Sequence, residues 1–155
     1  MKIVTAPHEA LRQQAKPITR VDKKVNKFIE DLKETLLHNK RRGVGLAAPQ
    51  VNKQWRAFVT LLGEAGERLE SRKIGDVRVF INPRITKTSK KFTINTDPDG
   101  STPLEGCLSI PGIYGPVPRF EWIELEFETF TSNSDDLKTQ TERFDAFPAR
   151  LAQHE

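Results

Sequence analysis

The chain's single sulfur nucleophile, Cys107, sits in the stretch Glu105-Gly106-Cys107-Leu108-Ser109. A lone thiol cannot close an intrachain disulfide, so it is an inert core residue, a nucleophile or a metal ligand. Gly106 beside it leaves a backbone that a ligand can approach closely. At positions 154 and 155 stand His154 and Glu155, an imidazole followed by a carboxylate. Thiolate, imidazole and carboxylate together begin a metal hydrolase, in which a divalent cation activates water and the carboxylate moves a proton. The same Cys107 and His154 could serve as nucleophile and base of a cysteine hydrolase, although a carboxylate directly after the His is poorly placed to orient it. A third stretch, Gly43-Val44-Gly45-Leu46-Ala47-Ala48-Pro49-Gln50, is rich in small residues and ends in a polar amide. It lacks both the Gly-Lys-Ser/Thr ending and the Gly-x-Gly-x-x-Gly spacing of phosphate-binding loops.

The elements that must carry these residues belong to a chain of 155 residues, long enough to bury a substantial core. Charged residues make up 30% and hydrophobic ones 36%, an ordinary balance for a globular protein. No run approaches the roughly 20 apolar residues of a membrane span. The start, Met1 to Pro7, has no apolar signal-peptide core, and one cysteine suits a reducing compartment, so a cytoplasmic, non-membrane protein is expected. A net charge of +4 does not specify a nucleic-acid partner.

Residues 3–20 read as an extended arm packed on the domain. Val25, Phe28, Ile29, Leu32, Leu36 and Leu37 share one stripe of a 3.6-residue period, which predicts an amphipathic helix capped by Asp22 and stopped by Gly43. The cluster Lys40-Arg41-Arg42 reads as its solvated end. Strands are expected over 55–62, 77–81 (closed by Asn82-Pro83), 123–129 and 137–144, with a lysine-rich edge ribbon over 85–94. Residues 63–76 read as a charged excursion, 96–100 and 132–136 as turns, and the Pro/Gly positions 111–118 as breakers of regular structure. Glu124, Glu126 and Glu128 alternate with apolar residues and read as a solvated sheet face. Trp55 and Trp122 are expected to pack, and Tyr114 to border a cleft. A last helix begins near Phe147. The fold class is α+β, with antiparallel sheets around the early amphipathic helix and a C-terminal helix that carries His154.

Taken together, the three stretches resemble the signature motifs of the peptide deformylase family: Gly-x-Gly-Leu-Ala-Ala-x-Gln, Glu-Gly-Cys-Leu-Ser and Gln-His-Glu-x-Asp-His. The first two match at every fixed position, and the third matches through Gln153-His154-Glu155. The resemblance covers nearly the whole chain as one domain. It implies hydrolytic removal of the formyl group from the N-terminal formyl-methionine of nascent proteins. It implies a divalent metal as well, ferrous iron first and zinc, nickel or cobalt as alternatives. By position, Cys107 and His154 are metal ligands and Glu155 the general acid/base. Gln50 (side-chain amide) and Leu108 (backbone N–H) would stabilise the oxyanion. Gly43, Val44, Gly45, Glu105 and Gly106 would line the substrate site. Formyl-methionyl peptides are the implied partners, near the ribosomal exit tunnel.

The physical chemistry of formamide hydrolysis agrees with those roles. Successive helical positions point about 100° apart, so His154 can hold a metal while Glu155 reaches water. An oxyanion donor of the Gln50 kind is worth about 2.7–4 kcal/mol. In the third motif a second His lies four residues after the first, a position beyond this sequence. The sequence therefore reads as incomplete at its C-terminus, supplying two of three expected ligands and giving little or no activity. His8 and His38 are not aimed at the site by any pattern. A non-catalytic module that binds formyl peptides or the ribosome is the remaining alternative.

Overall fold

The structure, a computed structural model, describes residues 1–40, 43–61, 73–94, 103–130 and 136–155. Helix α1 spans Lys23–His38, and the Asp22 carboxylate accepts a hydrogen bond from the Val25 N–H at 2.8 Å. Val25, Ile29, Leu32 and Leu36 are buried along one stripe, as the periodicity predicts. The helix closes at Asn39, whose N–H reaches the carbonyls of Leu36 and Leu37, ahead of Gly43. Of the basic cluster at 40–42, Arg41 and Arg42 lie outside the described residues.

Nine strands follow among the described residues: β1 (Gly45–Ala47), β2 (Ala57–Thr60), β3 (Arg78–Thr88), β4 (Phe92–Thr93), β5 (Glu105–Cys107), β6 (Ile110–Gly115), β7 (Arg119–Phe120), β8 (Trp122–Thr129) and β9 (Lys138–Asp145). Helix α2 (Ala146–His154) comes last. One antiparallel sheet has the order β1-β2-β3-β8-β9, while β4 pairs with β7 and β5 with β6. This is an α+β fold.

The large sheet is covered on both faces at its β1–β3 end. Ala57 and Ile81 meet Val25 and Ile29 of α1, and Leu46 and Val59 meet Leu32 and Leu36. On the other face Phe58, Phe80, Phe127 and Phe144 gather around Ala149 of α2. Double coverage explains why β2 is buried at every position instead of alternately. The alternation in β8 is real: Ile123, Leu125 and Phe127 are buried. Its glutamates are half-buried and paired across to β3, Glu124 with Lys87 and Glu126 with Arg84. Exposed pairs of this kind contribute at most about 1 kcal/mol.

Several elements differ from the sequence expectation. The small-residue stretch after Gly43 contains a strand, β1, because Leu46 can bury against α1 while Gly45 keeps the edge open. Residues 78–81 and 85–88 belong to one strand, β3, in the middle of the sheet rather than at an edge. Asn82-Pro83 bulges it without ending it. Asn82 takes a φ of +50° there, and its side chain exchanges two hydrogen bonds with the Ile18 backbone, at 2.8 and 2.7 Å. The Pro/Gly run after Ser109 is a strand too, since a two-stranded ribbon tolerates residues that a central ladder does not. Strand β2 is shorter than 55–62. The excursion is described only from residue 73, and the turn at 96–100 and residues 132–135 of the next lie outside the described residues. The N-terminal arm packs as expected: the Val4 N–H donates to the Gln50 carbonyl at 2.8 Å and the Ala6 N–H to the Ser109 carbonyl at 2.9 Å. Among the described residues no helix is long and apolar enough to cross a membrane.

Candidate active site

Strand β5 ends at Cys107, and a tight reversal pairs it with Ile110. Behind β1, a 3-10 turn over Ala48–Val51 brings Gln50 to the same point. Helix α2 delivers His154 and then Glu155. The amide of Gln50 is fixed in orientation: its Oε1 accepts the Ala47 N–H at 2.7 Å. Nε2 therefore faces the Cys107 sulfur at 3.5 Å and the Ser109 hydroxyl at 3.3 Å. The His154 ring presents Nδ1 to Glu105 Oε2 at 2.8 Å, which leaves Nε2 toward Cys107.

Electrostatics follow from these contacts. A hydrogen bond with His154 draws the Cys107 thiol below its usual value, against the opposing effect of burial. The same bond, with one from Glu105, raises His154 to about 9. Burial alone would raise Glu105, but hydrogen bonds from Arg119, His154 and Arg150 outweigh it and hold the carboxyl at about 2. Desolvation pushes Glu155 up to about 7, with nearby His154 pulling the other way.

All of the residues singled out in the sequence line one cavity of about 330 Å³: Gly43, Val44, Gly45, Gln50, Glu105, Gly106, Cys107, Leu108, His154 and Glu155. Tyr114 lines it as well. One position has partners the sequence did not reveal. Glu105 borders the cavity, but its carboxylate is taken by Arg119 (2.7 Å), Arg150 (2.6 Å) and His154. Gly106 is exposed and lines the cavity beside the Tyr114 ring, and a Cβ there would sit 2.5 Å from its Cε1. His8 caps the short turn Glu9–Leu11, His38 is exposed, and neither reaches the cavity.

Sequence reasoning missed Arg119, Arg150 and a role for Gln153. The signal for Arg150 was present, since it precedes His154 by four residues and so shares its helix face. Gln153 fastens α2 to β7, accepting from the Phe120 N–H and donating to its carbonyl, both at 2.9 Å. Arg119 had no local signal.

The polypeptide deformylase family profile matches residues 1–155. The chain belongs to the peptide deformylase family. The peptide deformylase of Neisseria meningitidis is 39% identical over 143 residues, covering 88% of this chain and 74% of that protein. Peptide deformylase 1 of Bacillus subtilis is 32% identical over 154 residues, covering 99% and 81%. Among solved structures, the Thermotoga maritima peptide deformylase aligns with a TM-score of 0.76 at 30% identity, over 99% of this chain and 87% of that one. The Acinetobacter baumannii enzyme with Met-Ala-Ser bound aligns with a TM-score of 0.78 at 25% identity, over 100% and 89%.

Peptide deformylases are metal-dependent hydrolases that remove the formyl group from nascent proteins. In this chain Cys107 and His154 place a sulfur and a nitrogen side by side, with Glu105 behind the imidazole. That donor pair suits a borderline-soft divalent cation, and a carboxylate behind a ligating His is the usual support. Among the described residues no group of three His, Cys, Asp or Glu side chains is placed to hold a metal.

A pH dependence of stability follows for the chelator-treated protein. Glu105, lowered from 4.5 to about 2, favours the folded state above 4.5, and this is lost as pH falls toward 2. His154, raised from 6.5 to about 9, favours it fully below 6.5, and this is lost as pH climbs through 9. Glu155, raised from 4.5 to about 7, favours the folded state fully below 4.5, and this is lost as pH climbs through 7. The melting temperature should peak near pH 4.5 and fall on both sides, with a shallower limb above pH 6.5 in His154→Gln. A melting temperature that stays flat from pH 6.5 to 9 would refute this.

Proposed function

We propose that this chain binds the formyl-methionyl ends of nascent peptides in the cleft beside Cys107 and hydrolyses the formamide with a divalent cation. Ferrous iron is the first candidate, with zinc, nickel and cobalt behind it. The observation that carries the reading is the convergence of Gln50, Cys107, His154 and Glu155 on one cavity. Cys107 and His154 would hold the cation, which supplies polarisation of the formyl carbonyl and a water of lowered pKa. Glu105 fixes the His154 ring through Nδ1, keeping Nε2 free to act as donor. Gln50 Nε2 and the Leu108 N–H would donate to the carbonyl oxygen as negative charge builds on it. With its carboxyl near 7, Glu155 can take a proton from water and return it to the departing amine at neutral pH. The peptide would lie along the β1 edge, held through main-chain groups, which suits partners of varied sequence. The place of action is the cytoplasm, where chains leave the ribosome.

The test uses a formyl-Met-Ala-Ser peptide with ferrous iron or cobalt in excess. Cation-dependent formate release is expected, abolished in Cys107→Ser and reduced at least about a hundredfold in Glu155→Gln. Release that persists in Cys107→Ser would overturn the reading.

One observation favours a second reading. Cys107, His154 and Glu105 form a chain of nucleophile, base and orienting carboxylate, so the orienting group missing from the sequence argument for a cysteine hydrolase is present. Alkylation separates the two: a cation-bound Cys107 is protected from iodoacetamide, whereas a hydrolase nucleophile is not.

A further inference from the structure

Ser109, in the two-residue turn that pairs Cys107 with Ile110, is only 2% exposed. Its backbone N–H bonds to the Cys107 sulfur, and its carbonyl accepts the Ala6 N–H at 2.9 Å. Those contacts belong to the main chain and survive a change of side chain. The hydroxyl has a different partner: it accepts from Gln50 Nε2 at 3.3 Å, its one hydrogen bond among the described residues. An amide held through its oxygen alone can still turn about that bond. The Ala47 N–H anchors Gln50 at Oε1, at 2.7 Å, and the Ser109 hydroxyl anchors it at the other end. Two anchors fix the amide plane. A primary amide carries two N–H donors. With one of them on Ser109, the other faces the Cys107 sulfur, 3.5 Å from Nε2, on the wall of the cavity. The main chains of Gln50 and Ser109 are tied to a single segment as well, through the Val4 and Ala6 N–H groups.

We infer that Ser109 is a positioning residue: its hydroxyl holds one amide hydrogen of Gln50 so that the other points to where the oxyanion forms. The inference rests on the proposed function, in which Gln50 donates to the formyl oxygen as charge builds on it. Ser109 itself touches no reacting atom. A donor already aimed costs no reorganisation when the charge appears, whereas an amide free to turn must be recaptured at that moment. The effect therefore falls on the chemical step and not on peptide binding.

The test measures formate release from formyl-Met-Ala-Ser, and binding of Met-Ala-Ser by titration calorimetry, both with cobalt in excess. Ser109→Ala should lower kcat roughly tenfold, part of the hundredfold or more that losing a whole oxyanion donor costs. KM and the Met-Ala-Ser dissociation constant should stay within about twofold. Ser109→Thr keeps the hydroxyl and should restore most of kcat; Ser109→Val has the same shape without it and should not. These two carry the comparison if Ser109→Ala does not fold. In a Gln50→Ala background, Ser109→Ala should lower kcat by less than about twofold, because no amide is left to aim. Unchanged kcat in Ser109→Ala, or an equal loss in both backgrounds, overturns the positioning role and leaves the proposed function standing. Absence of formate release by the native chain overturns the proposed function, and the positioning role with it.

Discussion

Glu105→Ala should cost about 3–5 kcal/mol of folding stability, lowering the melting temperature by about 6–20 °C. The size of the effect comes from what the substitution leaves behind. Glu105 is the common partner of Arg119, Arg150 and His154, and its side chain and that of Arg150 are each only 9% exposed. Removing it strands the Arg150 guanidinium where little water reaches, and takes a charged partner from the half-buried Arg119 and His154. Among the described residues, Arg150 would keep only the Val117 carbonyl, and Arg119 only the carbonyl of Gln153. Denaturant unfolding of the chelator-treated protein measures the change. A loss under 1 kcal/mol would show that the cluster is far better solvated than its burial indicates. Glu105→Gln keeps the shape, so its cost isolates the part due to charge.

Gly45→Ala should leave the fold almost untouched and remove the chemistry. A Cβ at Gly45 would overlap Glu155 Oε1 and lie 2.8 Å from its Cδ and 2.9 Å from Leu151 Cδ1. All three atoms are ends of flexible side chains, so the conflict is relieved by pushing Glu155 aside at little cost in stability. The displaced carboxyl leaves its desolvated seat, and its pKa should drop from about 7 toward 4.5. Formate release should fall by about a hundredfold or more, comparable to removing the proton carrier outright. Infrared titration of the carboxyl and a thermal melt separate this from unfolding. Undiminished formate release in Gly45→Ala would mean that Glu155 is not held where its contact with β1 puts it.

The parts of the fold legible in the sequence are those whose cause is local. The stripe of α1, its Asp22 cap and the alternation of β8 each depend on neighbours within a few residues. What escaped depends on distant partners. Asn82-Pro83 looks like the end of a strand until Ile18, 64 residues away, is seen holding Asn82 through a bulge. The ribbon β5–β6 was hidden because Pro111, Gly112 and Gly115 are weak strand formers alone and are organised by pairing with Glu105–Cys107. At the site, the motifs supplied Gln50, Cys107, His154 and Glu155 as residues. The motifs did not reveal that Gln50 is aimed by the Ala47 N–H, or that Glu105 serves His154 and two arginines. Those relations are set by the folded backbone, which a linear pattern does not encode.

The arm that passes behind Gln50 and Ser109 has a consequence for how the molecule comes into being. Residues 4 and 6 leave the ribosome long before the residues they bond to at positions 50 and 109. The segment made first therefore docks late, after partners far down the chain exist, and such long loops close slowly. During synthesis those early residues wait without a seat. The pocket's polar floor gains its final rigidity only when they return to it.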